Sequence, residues 1–188
     1  MQIRMARVED APALLAIYAP YIEKTAITYE YTVPTLAEFS ERIENILKKY
    51  PYLVLEEAGE IQGYAYASSF RTRAAYAWCA ETSIYLRMNS RQKGYGRALL
   101  KKLEELLARQ GILTLYACIA YHETEDEVLS HASLYFHEKM GYTKAAHVHR
   151  CAYKLDRWLD LVIMEKMLGG HPHPPAPVTD PVFPDNMV

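Results

Sequence analysis

The chain is poor in cysteine, in glycine and in charge of one sign, and each scarcity removes a class of protein. Its three cysteines, Cys79, Cys118 and Cys151, include no C-x-x-C pair. They form neither a disulfide framework nor a cysteine zinc site, and predict reduced thiols in a reducing, cytoplasmic compartment. A formal net charge of −2 supplies no global field toward nucleic acid or an anionic membrane. No apolar stretch approaches the roughly 18 residues of a membrane span. Residues 1–10 alternate apolar with charged side chains and lack the apolar centre of a signal peptide.

What is present reads as one domain over residues 1–168. A short strand is predicted over 3–8. Asp10 should cap a helix carrying Leu14, Leu15, Tyr18, Tyr21 and Ile22. Thr35 and Glu38 form a T-x-x-E capping box for a second helix. Strands are predicted over 52–57 and 61–69, joined by Ala58-Gly59-Glu60, and over 79–86. Leu99, Leu100, Leu103, Leu106 and Leu107 then share one side of a helix over 94–109, which Gly111 ends. A buried strand over 113–120, an acidic segment, a helix over 130–140 and strands over 143–154 and 159–167 follow. Six prolines and no periodicity mark 169–188 as an extended or disordered tail. Strands before and after a long central helix imply an α/β (α+β) fold, a mixed sheet with helices on both faces.

The glycines Gly94 and Gly96 fall where a predicted strand gives way to the long helix. A helix start offers unpaired amides and a positive dipole end, and Arg91, Lys93 and Arg97 add charge. A pyrophosphate suits such a site, although the spacing is neither a Walker A loop nor a G-x-G-x-x-G fingerprint.

Gln92 to Gly96, with one preceding residue, resembles the acetyl-CoA motif of the GNAT acetyltransferases. The resemblance extends through Gly63-Tyr64-Ala65-Tyr66-Ala67, Arg71-x-Arg73-x-x-Tyr76, Ala80-Glu81-x-Ser83-x-Tyr85 and His137-Glu138-x-x-Gly141-Tyr142. These runs look like the phosphinothricin and methionine sulfoximine N-acetyltransferase branch. The resemblance implies transfer of an acetyl group from acetyl-CoA to a small amino-acid-like amine, by direct attack, in a cytoplasmic homodimer needing no metal. It implies Glu81 as general base and His137 as a second catalytic or substrate-contacting group. Ile84, Tyr85, Leu86, Gln92, Lys93, Gly94, Tyr95, Gly96, Arg97 and Ser130 would hold the cofactor; Tyr29, Glu30, Arg71, Arg73 and Tyr76 would hold the amine. Ser130 departs from the family's asparagine, and the acidic segment 121–128 is longer than usual. Two other readings remain at this point: acetylation of a peptide or protein N-terminus, and a non-catalytic acyl-CoA sensor.

Two features are set aside. His147 and His149 share a strand face, but no cysteine or carboxylate is expected to complete a metal site there. The sixteen tyrosines look scattered, as sheet packing would have them.

Overall fold

One parallel strand pair sets the architecture. The computed structural model describes residues 1–90 and 93–181. Its seven strands are β1 (Gln2–Met5), β2 (Tyr52–Glu57), β3 (Glu60–Ser69), β4 (Cys79–Leu86), β5 (Thr114–Tyr121), β6 (Thr143–Lys154) and β7 (Arg157–Met167). They lie in the order β1-β2-β3-β4-β5-β7-β6. Every neighbouring pair is antiparallel except β4 and β5. A parallel pair needs a crossover, and helix α3 (Tyr95–Gln110) supplies it. Helices α1 (Ala11–Lys24) and α2 (Leu36–Leu47) cover the opposite face, and α4 (Ala132–Lys139) connects β5 to β6. The mixed sheet with helices on both faces is the architecture expected from the sequence.

The two faces have separate cores. On one, Leu99, Leu100, Leu103 and Leu107 of α3 are fully buried against Leu53, Leu55, Ala65, Ala67 and Ala80. Burying a leucine is worth roughly 2 kcal/mol relative to leaving it in water. On the other, Leu14, Ile17 and Ile22 of α1 and Phe39 and Ile43 of α2 pack on Tyr52, Val54 and Tyr64.

Local signals explain most boundaries. Thr35 and Glu38 cap α2 reciprocally, with the Thr35 amide donating to Glu38 at 2.8 Å and the Glu38 amide donating to Thr35 at 3.3 Å. Ala58 and Gly59 take φ of 53° and 79°, so the hairpin turn needs two residues and β3 begins at Glu60. Gly63 permits a close approach of β3 to β4: a Cβ there would lie 2.3 Å from Leu86 Cδ2 and 2.8 Å from the Tyr85 carbonyl.

Several expectations need correction. β1 ends at Met5, and Asp10 does not cap α1 through its side chain. Its carboxylate instead accepts from the Arg7 amide at 2.7 Å and pairs with Arg4 at 2.7 Å, an ion pair worth more to it than an orphan helix amide. α4 is shorter than 130–140, and β7 starts before Leu159, at Arg157. Residues 169–181 have no helix or strand, and hydrogen bonds attach them to the rest of the chain. Trp78 Nε1 donates to the Ala176 carbonyl at 2.7 Å, and the Thr179 amide donates to the Gln110 carbonyl at 2.9 Å. Among the described residues no helix is long and apolar enough to cross a membrane.

Candidate active site

β4 and β5 pair only from Cys79–Thr114 to Glu81–Tyr116. Both strands continue, β4 to Leu86 and β5 to Tyr121, but they part, and the backbone edges that no longer pair line a cleft. Thr82, Ser83, Ile84 and Tyr85 form one wall and Ala117, Cys118, Ile119 and Ala120 the other, with Ser130, Ser133 and His137 closing the end. Ile84 and Leu86 turn their side chains to the α3 core, whereas Tyr85 joins the α1 side. The Leu86 carbonyl accepts from the Tyr21 hydroxyl at 2.7 Å.

Glu81 occupies the last paired position before the strands diverge, opposite Ser68 on β3 and Tyr116 on β5. Its carboxyl is partly buried. Burial pushes its pKa above the ordinary carboxylate range, while the Cys118 thiol and, more weakly, the Arg71 charge pull it back. The thiol itself is driven up to about 12 by burial and by the neighbouring carboxylate, so Cys118 is a neutral partner. A carboxylate that holds a proton less reluctantly than usual is suited to taking one from an amine near neutral pH.

His137 is 3 % exposed. Its Nδ1 lies 2.8 Å from the Ser133 carbonyl, which requires Nδ1 to donate and assigns the ring proton there. Burial lowers its pKa, against a smaller opposing effect of that carbonyl, so the ring is neutral near pH 7. Nε2 is then an acceptor. It is buried and has no hydrogen-bond partner among the described residues. A solitary buried acceptor costs about 1–3 kcal/mol unless something donates to it, and this residue lines the cleft.

The α3 entry follows. Gly94 precedes the helix in the left-handed region, with φ of 81°, and as the N-cap residue it offers no side chain to the first turn. Gly96 sits under α4, where a Cβ would stand 3.4 Å from the Phe136 ring and 3.6 Å from Ile84 Cδ1. Tyr95 faces inward and donates its hydroxyl to Glu57, which leaves only its backbone for a ligand. Lys93 and Arg97 are exposed. Gln92 and Arg91 lie outside the described residues.

The residues expected to hold the amine divide into separate groups. Arg71, Arg73 and Tyr76 line an exposed pocket beside Tyr50, with Thr179 and Asp180 of the C-terminal segment on its rim. Glu30 accepts from Tyr18 at 3.1 Å and from Arg42 at 2.7 Å. Tyr29 turns away from Glu30 and donates to the Asp160 carbonyl at 2.5 Å.

Sequence reasoning missed what Glu30 closes. Tyr18, Tyr52, Tyr64, Tyr66 and Tyr85 gather with Phe39 and Arg42 around a chamber of about 370 Å³. Ser68, directly opposite Glu81, lines it too. The period-2 placement of Tyr64 and Tyr66 in β3 carried the signal for one face. Nothing local showed that α1 and β4 would bring their tyrosines to meet it. The expectation for His147 also fails: Asp160 on β7 supplies the carboxylate, 2.7 Å from His147 Nε2.

Comparison with known proteins agrees with this arrangement. The chain matches the acetyltransferase (GNAT) domain family over residues 3–163. It is 32% identical over 177 residues to an L-methionine sulfoximine/L-methionine sulfone acetyltransferase of Salmonella typhimurium, covering 94% of this chain and 99% of that one. The structure of a phosphinothricin acetyltransferase from Sinorhizobium meliloti in complex with acetyl-CoA superimposes with a TM-score of 0.82 and 34% identity, over 98% of this chain and 96% of that one. A ribosomal-protein-alanine N-acetyltransferase from Brucella melitensis superimposes with a TM-score of 0.82 and 32% identity, over 89% and 99% of the two chains. With a parting parallel strand pair, a glycine-led helix after it and this likeness over nearly its whole length, the chain belongs to the GNAT family and is an acetyltransferase.

Proposed function

We propose that the chain transfers acetyl from acetyl-CoA to the amino group of a small amino-acid-like molecule of the phosphinothricin, methionine sulfoximine or methionine sulfone type. One observation carries this reading: a carboxyl of raised proton affinity, Glu81, stands where β4 and β5 separate. The site fits the co-substrate, because the cleft beyond Glu81 contains a buried acceptor, His137 Nε2, in need of a donor. When bound, acetyl-CoA supplies the activated acetyl group.

Amides of Tyr95, Gly96 and Arg97 at the start of α3, with Gln92, Gly94 and the charges of Lys93 and Arg97, would hold the diphosphate. Backbone groups of Ile84, Tyr85 and Leu86, with Ser130, would hold the extended arm, and an amide there would face the developing oxyanion. Glu81 takes a proton from the substrate ammonium, leaving a neutral amine whose lone pair would attack the thioester carbonyl; the carbon–sulfur bond would break and coenzyme A leave as the thiol, with the second proton lost by the nitrogen. His137 accepts a hydrogen bond or a proton through Nε2. Arg71, Arg73 and Tyr76 clamp the anionic end of the substrate and Glu30 borders its entrance, whereas Tyr29, turned to Asp160, stands outside it. The expected setting is a homodimer in the cytoplasm, which light scattering of the purified chain would test.

A thiol-release assay with acetyl-CoA and a panel of amines tests the whole reading. Turnover is expected with compact anionic amino acids. Arg73→Ala should raise KM far more than it lowers kcat, because it removes binding rather than chemistry. Turnover confined to peptides would move the assignment to N-terminal acetylation, the reading favoured by the Brucella melitensis neighbour. Cofactor binding with no turnover on any amine would leave a sensor.

A further inference from the structure

We infer that the irregularity joining β6 to β7 is a divalent transition-metal site built from His147, His149 and Asp160. Strand neighbours at i and i+2 share a face, but their side chains ordinarily run parallel, roughly 7 Å apart. Here the register breaks between Val148 and Ala152. Opposite that break, β7 offers the single residue Asp160, and Arg150 enters the left-handed region with φ of 47°. The bulge turns both imidazoles onto one oxygen. His147 Nε2 lies 2.7 Å and His149 Nδ1 3.1 Å from Asp160 Oδ2. The three atoms all fall within 4.8 Å of one another.

The surrounding residues hold this donor set in place. The Arg150 amide donates to Asp160 Oδ1 at 2.7 Å, which fixes the carboxylate and leaves Oδ2 to the histidines. The Tyr121 ring stands edge-on to His147, with centroids 5.1 Å apart. Tyr29 holds the Asp160 carbonyl. Such outer contacts orient ligands at real metal centres.

An ion bound by bonds of about 2.0–2.2 Å places its ligand atoms roughly 3.3 Å apart in tetrahedral geometry. The two N···O separations, 2.7 and 3.1 Å, fall just short of that value, so an entering ion would only have to spread the three side chains slightly. Two imidazoles and one carboxylate favour zinc, nickel or copper over magnesium or calcium. His149 is largely exposed, so water would complete the coordination shell. The site is independent of acetyl transfer. Asp160 pairs with Tyr121 and Glu81 with Tyr116, five residues along β5, or about 16 Å.

The test is calorimetric titration of the chelator-treated full chain with Zn²⁺ alone. One saturable site of micromolar or tighter affinity is expected, weakened at least tenfold by H149A and by H147A. H149A alters an exposed side chain and should fold, which circular dichroism checks; H173A, in the C-terminal segment, should leave binding unchanged. At zinc 100-fold above Kd, Tm should rise by roughly 5–10 °C in the native chain and by much less in H149A. No saturable binding below 100-fold excess over protein, or binding that H149A and H147A leave intact, would overturn the assignment.

Discussion

On the α3 side of the sheet the buried contacts are mostly aliphatic, leucine on leucine and alanine, with Tyr95 and Tyr142 among them. On the α1–α2 side, Tyr18, Tyr21, Tyr52, Tyr64 and Tyr85 crowd together, and Glu81 and Ser68 open onto the same face, partly wet and partly charged. Burial does different things on the two sides. Among leucines it only removes apolar area from water. Among phenols and a carboxylate it also shifts proton affinities: the Tyr18 hydroxyl is driven up to about 12, chiefly by desolvation, and Glu81 moves in the same direction. One face should therefore govern stability and the other chemistry, and the two should be separable by mutation.

The largest expected effect is on rate. With Glu81 as the base, Glu81→Gln should lower kcat/KM by about 10²–10⁴, roughly 3–5 kcal/mol of barrier, measured by thiol release at saturating acetyl-CoA. Its stability should move the other way. A carboxyl whose pKa is raised on folding binds its proton more tightly in the folded state, so its contribution to stability declines as pH rises through the window above the ordinary glutamate value. Removing the charge should leave the protein at pH 7 no less stable than before. Loss of stability in Glu81→Gln would break the proposed division.

Leu103→Ala supplies the opposite case. The side chain is fully buried against the sheet, and its loss should destabilise by about 2–5 kcal/mol in chemical denaturation. Under conditions where the variant stays folded, its KM for the amine should be unchanged.

A smaller effect sharpens the account of Glu81. The kcat/KM profile should fall as pH drops through the raised pKa of the carboxyl. Cys118→Ala removes the thiol that favours its charged form, so the acid limb should move to higher pH. A profile identical to that of the native chain would remove Cys118 from the site. The smallest change expected is in Thr35→Ala, which deletes one half of the α2 capping box. It should destabilise by about 1 kcal/mol in thermal melts and leave the pH profile untouched.

Most of the elements were legible because their signals are local. The leucine period marked α3, Thr35 and Glu38 marked the start of α2, and the turn at Ala58-Gly59-Glu60 marked the β2–β3 hairpin. The misreadings came where a distant partner outcompeted a local one. Asp10 looks like a helix cap until Arg4 is brought beside it. His147 and His149 look like a pair without a carboxylate until Asp160 arrives from the next strand.

The sequence by itself determined the alternation, the caps and the glycine positions, because each depends on backbone conformation and side-chain spacing within a few residues. Tertiary structure alone decided how far β4 and β5 stay paired, which tyrosines share a chamber, and which proton on His137 is committed to Ser133. Those outcomes depend on groups far apart in the chain whose burial and hydrogen bonding exist only once the sheet has closed around them.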